Sequence, residues 1–288
     1  MVDVALPIDS VAIRQVARAG GWVLDVDGCI VRTTAAGGAG GSPIAGAVDL
    51  VRWLKRNGKT VVICTNASQK TAAHYASHLR AIGFEIEDRD VMTAATAAAA
   101  YAAGRHGSGP VIAIGDIGLT QALRDTGVRL WSEDPDPPVA VIVGAADQYS
   151  TRDINAACLA IADAGAAFYV TVDTPWFHGG ITKAVSSSTA IARAIEAVTG
   201  VKPVVCGKPS PALARVLSER LGRAGRDVVV VGDMASIEVK MANDMGANGV
   251  LVLSGGTSID EVRTLPIEYR PDVCVQDVGA LLRAVQEN

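Results

Sequence analysis

Short runs rich in Val and Ile alternate along the chain with longer, alanine-rich stretches of helical period. The apolar runs predict strands at Trp22–Val26, Thr60–Cys64, Val111–Ile114, Val139–Val143, Ala167–Val172, Val228–Val231 and Val250–Leu253. The amphipathic stretches predict helices at Ala45–Asn57, Ala72–Ile82, Ala94–Tyr101, Leu119–Asp125, Thr151–Ala164, Val185–Thr199, Ala212–Leu221 and Ser236–Asp244. Alternation of this kind belongs to α/β architecture with largely parallel sheets. Strands in such sheets are covered on both faces, so they read as unbroken apolar strings, as these do.

Polar residues suited to chemistry cluster at 25–28, 65–68, 207–210 and 232–238, and a long middle stretch is without them. That middle has its own strand–helix pattern and the size of a small domain. The expected division is a discontinuous domain of residues 1–89 and 203–288, interrupted by an inserted domain of residues 90–202. Within the insert, the Pro-rich segment Glu133–Pro138 reads as an exposed loop. The tract Thr33–Ser42 (TTAAGGAGGS) reads as a flexible loop close behind the first polar cluster.

Composition removes several function classes. The 288 residues suffice for a well-filled core, and the net charge of -4 comes from acids and bases mixed along the whole length. That pattern lacks the concentrated basic patch of a nucleic-acid binder and the polybasic anchor of a membrane-surface protein. The N-terminal residues do not have the form of a signal peptide, and no apolar run approaches a membrane span. The five cysteines are odd in number, widely spaced and mostly set in apolar runs. They point to reduced, buried thiols and a cytoplasmic protein rather than a disulfide framework or a zinc site.

Ligands of open α/β sheets bind outside the carboxyl ends of the strands, and that rule brings four polar motifs to one edge. Asp25-Val26-Asp27-Gly28 follows the first strand. One carboxylate there could attack phosphorus as a covalent nucleophile, and the other could give and take a proton; a plain Asp-Gly turn is the competing reading. Thr65-Asn66 ends the second strand, where a hydroxyl, an amide and helix-start N–H groups suit phosphate oxygens or simply cap a helix. Gly207-Lys208-Pro209-Ser210-Pro211 precedes an alanine-rich helix. Its lysine could neutralise nucleophile and phosphate, against the ordinary fate of a solvated surface lysine. Gly232-Asp233, with Glu238 five residues on, is the fourth motif and follows the strand Val228–Val231. Asp25, the backbone carbonyl of Asp27 and Asp233 would give Mg²⁺ the oxygen ligands it prefers; a turn is again the alternative.

In this order and at these positions, the motifs resemble the haloacid dehalogenase superfamily, and more closely its class IIA (NagD-like) branch of 4-nitrophenylphosphatases and phosphoglycolate phosphatases. The resemblance covers nearly the whole chain. It also draws on Pro43-Ile44-Ala45-Gly46-Ala47, Val141-Ile142-Val143-Gly144 and Leu251-Val252-Leu253-Ser254-Gly255. It implies a Rossmann-like core with a parallel sheet, the insert serving as an α/β cap of the C2 type. It further implies magnesium-dependent hydrolysis of a small phosphomonoester metabolite, with Asp25 as nucleophile and Asp27 as general acid and base. Thr65, with Asn66 alongside, would bind the phosphoryl group, Lys208 would stabilise the phospho-aspartate, and Asp233 would ligate the metal. Cap-mediated dimers are common in this group, which makes a homodimer the expected assembly.

The chain departs from the family pattern at Glu238, where relatives carry an aspartate, and at Met234, Ala235 and Ser236, which replace more polar residues. Glu238 is expected in the metal's surroundings, accepting hydrogen bonds from metal-bound water. In the insert, Asp173–Gly180 resembles a cap loop that faces substrate, so Trp176 and His178 are candidates to read the leaving group, with Tyr149 and Arg152 as rim residues. Two other classes compete. A catalytically weak binding or regulatory protein is kept open by Glu238. A dinucleotide-binding oxidoreductase fails because the glycines at 37–41 do not sit between a strand and a helix.

Overall fold

The computed structural model describes residues 9–33, 41–132, 136–179 and 182–288. In chain order its strands are β1 (Gly21–Asp25), β2 (Val31–Arg32), β3 (Ser42–Pro43), β4 (Thr60–Thr65), β5 (Val91–Thr93), β6 (Val111–Ile114), β7 (Ala140–Val143), β8 (Ala167–Val170), β9 (Trp176–Gly179), β10 (Thr182–Val185), β11 (Val204–Val205), β12 (Val228–Gly232), β13 (Asn248–Val252) and β14 (Val273–Val275). Six of them form a parallel sheet in the order β14-β13-β12-β1-β4-β5. The α/β class and Rossmann-like core expected from the sequence are therefore what the chain adopts.

The apolar strings explain why. Along β1, β4 and β12 every second side chain points to the same face, and both faces are covered. Trp22, Leu24, Ile63, Val229 and Val231 pack on one side, with Leu50 and Leu54 of helix Ala47–Arg56 and Val278 and Leu281 of helix Val278–Gln286. Val23, Val62, Val228 and Val230 pack on the other, with Leu213 and Leu217 of helix Pro211–Leu221. Each such side chain taken fully from water contributes about 1.5–3 kcal/mol before the cost of ordering the chain.

A second parallel sheet, β11-β8-β7-β6, is built from the middle of the chain. Its two faces are covered by helices Ala94–His106 and Ile117–Asp125 on one side, and by Thr151–Ala162 and Ser187–Thr199 on the other. The sheets do not change hands at the boundaries expected for the insert. Residues 91–93 pair with β4 in the first sheet (Thr65↔Thr93), and residues 204–205 pair with β8 in the second (Val204↔Tyr169). The chain crosses over through helix Ala94–His106, whose alanines reach both cores: Ala97 joins the first, and Ala95, Ala98, Ala99 and Ala102 join the second. It returns through Cys206–Ser210.

Two antiparallel pairs, β2–β3 and β9–β10, complete the strands. Most of the glycine-rich loop (34–40), part of the Pro-rich loop (133–135) and residues 180–181 lie outside the described residues. Among those that are described, no helix is long and apolar enough to cross a membrane.

Candidate active site

Strand order decides what meets at the carboxyl edge. β1 lies between β4 and β12, with Leu24 level with both Ile63 and Val231 and Asp25 level with Cys64. Asp25 therefore ends its strand beside the ends that carry Thr65 and Gly232-Asp233. These side chains are almost fully buried, with Asp25 and Asp233 each 7% exposed, Thr65 6%, Lys208 4% and Glu238 3%.

Lys208 sits at the centre. Its Nζ donates to Asp25 Oδ1 and to the Cys64 carbonyl at 3.1 Å, and forms an ion pair with Glu238 Oε1 at 2.8 Å. Burial by itself works against the charged ammonium, but Asp25 and Glu238 outweigh it and hold the Lys208 pKa well above its ordinary value. The lysine's loop is fixed from the end of β4. Asn66 Nδ2 donates to the Lys208 carbonyl at 3.0 Å, while Asn66 Oδ1 accepts the Lys208 N–H at 2.8 Å. The amide expected to hold substrate is thus committed to the lysine backbone. On the far side, Ser210 caps the helix that follows by accepting the Leu213 N–H, and Pro211 occupies its first turn.

Asp27 lies past the end of β1, in a turn closed by the Gly28 N–H to the Val31 carbonyl at 2.9 Å. Gly28 has φ +84, and a Cβ there would lie 2.5 Å from Asp233 Oδ2, so only glycine permits this approach. Burial first, and then the Asp25 charge, raise the Asp27 pKa from 3.8 to about 6, despite Lys208 and a hydrogen bond from Thr33. A carboxyl with that pKa can both give and take a proton near neutral pH.

Asp233 is held by the loop after β13. Its Oδ2 accepts the Gly256 N–H at 2.6 Å, and its carbonyl accepts the Thr257 N–H at 3.0 Å. The Thr257 hydroxyl in turn accepts the Ala235 N–H at 3.1 Å. Burial, then Asp25 and Glu238, push the Asp233 pKa up to about 8. Sequence reasoning missed Gly256 and Thr257 as partners; the only signal was a Gly-Gly pair after an apolar strand.

Glu238, expected in the metal's surroundings, lies buried beside Lys208. It faces Lys208 with Oε1 and accepts the Met234 N–H with Oε2 at 3.2 Å, so both oxygens are engaged with the protein. The segment Ala235–Val239 is a widened, π-type turn ahead of helix Lys240–Asp244. The bare Gly232 lets the longer side chain fold back, because a Cβ there would lie 2.1 Å from Glu238 Cγ. Glu238 thus shares the Lys208 ammonium with Asp25.

Among the described residues no three His, Cys, Asp or Glu side chains stand as a ready-made metal cage. The donor set nevertheless suits a hard cation. Asp25, Asp27 and Asp233 bring three carboxyl groups together beside Lys208 and Glu238, and burial, followed by the charge of Asp25, raises the pKa of Asp27 and Asp233. Mg²⁺ uses few protein carboxylates, accepts backbone carbonyls and keeps several waters, so a complete cage is not required.

Trp176 opens β9 opposite Val185 and is 44% exposed. His178 lies in the same strand, and its side chain is outside the described residues. Tyr149, read as a rim residue, braces the second sheet instead. Its hydroxyl donates to the Gly144 carbonyl at 2.8 Å, accepts the Ala146 N–H at 3.0 Å and lies 3.0 Å from Ser187 Oγ.

Comparison with known proteins agrees with this arrangement. Residues 22–129 match the haloacid dehalogenase-like hydrolase family and residues 205–281 a second HAD-hydrolase-like family. The chain is 28% identical to dihydroxyacetone phosphatase of Corynebacterium glutamicum over 90% of each chain. It is 27% identical to the ribonucleotide monophosphatase NagD of Escherichia coli K12, over 86% of this chain and 92% of that one. Among solved structures, a 4-nitrophenylphosphatase from Thermotoga maritima superposes with a TM-score of 0.83 at 26% identity, covering 94% of this chain and all but 1% of the other. A glycerol phosphate phosphatase from Mycobacterium tuberculosis in complex with magnesium superposes with a TM-score of 0.79 at 26% identity, covering 96% of this chain and 78% of the other. The chain belongs to the haloacid dehalogenase-like hydrolases, as a member of their NagD-like phosphatase branch.

Proposed function

We propose that this protein is a magnesium-dependent phosphatase that hydrolyses a small phosphomonoester metabolite through a phospho-aspartate on Asp25. The observation that carries the reading is the Asp25–Lys208 pair at the end of the central strand, with Asp27 two residues on and its pKa raised to about 6.

Asp25 would attack phosphorus with a carboxylate oxygen, forming the acyl phosphate bond as the bond to the leaving oxygen breaks. Asp27, protonated, gives its proton to that oxygen and so avoids expulsion of an alkoxide. Lys208 holds the nucleophile in place and neutralises charge that would otherwise repel an anionic substrate. Thr65 Oγ1 accepts the Ala67 N–H at 3.2 Å, which leaves its own proton for a phosphoryl oxygen. Asp27, now ionised, takes a proton from water as that water attacks phosphorus, and phosphate and free Asp25 result. Asp25, the Asp27 carbonyl and Asp233 would hold Mg²⁺, which supplies positive charge to the phosphoryl oxygens. The second sheet is the cap in this reading, and Trp176 and His178 are the residues assigned to the leaving group.

Phosphate release from 4-nitrophenyl phosphate and a panel of phosphometabolites, with and without Mg²⁺, tests the proposal. Magnesium-dependent turnover should fall at least about a thousandfold in Asp25→Asn, as expected for loss of a covalent nucleophile. Wild-type protein inactive across the panel would instead favour a binding or regulatory protein.

A further inference from the structure

Asp27 lines a small enclosed cavity together with Thr65, Tyr75, His78, Val31 and Val91. The cavity holds about 20 Å³, and a single water needs roughly 10–15 Å³ measured this way. Three buried side-chain polar atoms among the described residues have no hydrogen-bond partner: Asp27 Oδ1, His78 Nε2 and Trp131 Nε1. Two of the three belong to residues of this one cavity, whereas Trp131 packs in the second sheet's core. Buried polar groups are nearly always satisfied, so two orphans around a water-sized space share one explanation.

The placement follows from sequence. Helix Ala72–Ala81 starts at Thr71, whose hydroxyl accepts the His74 N–H. Tyr75, His78 and Leu79, spaced three and four residues apart, share the face turned to the end of the sheet, where Leu79 and Tyr75 pack in the first core. Thr33 donates to Asp27, and because Oδ1 has no partner that bond is to Oδ2.

We propose that one buried water joins His78 Nε2 to Asp27 Oδ1, making His78 a positioning residue for the general acid. The water donates to Asp27 Oδ1 and meets His78 Nε2 as donor or acceptor according to the imidazole tautomer. With Thr33 on one oxygen and the water on the other, the plane of the Asp27 carboxyl is fixed. The lone pair or proton then points in one direction when a leaving group arrives. The role assigned to Asp27 rests on the phosphatase reading; the water itself does not.

Two arms separate these. A high-resolution crystal structure of the wild-type protein should show an ordered water within hydrogen-bonding distance of both atoms, and a dry cavity overturns the proposal whether or not the protein is active. In steady-state kinetics His78→Leu should lower kcat about tenfold with KM changed less than about twofold, the size of effect expected when a proton-transfer group is misaimed rather than removed. His78→Gln, which keeps a polar group at that depth, should recover most of the loss. Unchanged kcat in His78→Leu, or a glutamine variant as slow as the leucine one, overturns the positioning role. If His78→Leu does not fold, His78→Gln and the crystal structure still decide. Failure of wild-type turnover counts against the phosphatase reading alone.

Discussion

Truncating Glu238 to alanine leaves the buried Lys208 ammonium with Asp25 and the Cys64 carbonyl as its remaining partners, and leaves the Met234 N–H unsatisfied. Removing one partner from a buried ion pair costs about 3–5 kcal/mol. Because Asp25 stays, we expect Glu238→Ala to lose roughly 2–3 kcal/mol in urea unfolding; a loss near zero would contradict the contact. The same cluster gives the protein a pH signature. Asp27 and Asp233 have folded pKa values above the ordinary 3.8, at about 6 and about 8. They bind protons more tightly folded than unfolded, so their contribution is complete below pH 3.8 and is lost as pH rises through the folded values. Asp27 alone represents about 3 kcal/mol on that scale. In EDTA the urea midpoint should therefore fall between about pH 5 and pH 8, and Mg²⁺ should reduce the fall; a flat profile in EDTA would sink this account. None of this was legible in the one-dimensional pattern. The spacing of Asp233 and Glu238 suggests two carboxyls serving one metal, whereas the direction of the second is set by the space above Gly232, which only the folded chain reveals.

At the scale of elements, the site depends on loops held against one another rather than on any strand alone. Asn66, at the end of β4, grips Lys208 at both its N–H and its carbonyl. Asn66→Ala removes both bonds, at about 1–2 kcal/mol of stability. It also frees the loop that aims the lysine, and misplacement by about 1 Å can cost a hundredfold. The expected result is a kcat lower by ten- to a hundredfold with binding little changed; a variant with wild-type kcat would show that the clamp is dispensable. The long apolar strands and most helices were readable because burial on both faces, or on one stripe, writes itself as composition. β5 and β14 were not, since three residues are too few to carry a period, and pairing alone makes Val91–Thr93 and Val273–Val275 strands. Helices Ser10–Arg18 and Val278–Gln286 were also passed over, though each buries an apolar stripe (Ile13 and Val16; Val278, Leu281 and Val285) in the first core. The turn at Ala235–Val239 reads as plain helix, since a single widened turn leaves no mark on the apolar period.

Across the whole molecule, the second sheet is tied to the catalytic edge through the loop that follows Thr65. Ser68 Oγ accepts the Ala145 N–H at 3.0 Å and the Thr171 hydroxyl at 3.2 Å. Gln69 Nε2 donates to Asp116 Oδ2 at 3.1 Å and to Asp147 Oδ1 at 2.5 Å, drawing together two carboxylates of the inserted unit. The same loop thus carries Thr65 at one end and grips the inserted sheet at the other. Any opening of that sheet over the site must break the Gln69 bonds, which are the more exposed of the two sets. Gln69→Leu removes both side-chain bonds from this loop to the second sheet's unit and leaves the Gln69 carbonyl accepting the Gly118 N–H at 3.0 Å. The closed arrangement should then lose about 1–2 kcal/mol relative to the open one, since each bond involves a charged acceptor partly in solvent. A small substrate gains from closure and a bulky one gains from opening. The ratio of kcat/KM for 4-nitrophenyl phosphate to that for glycerol phosphate should accordingly rise several-fold in Gln69→Leu. An unchanged ratio would mean that closure over the site is governed by the Ser68 contacts and the Gly118 N–H bond to the Gln69 carbonyl.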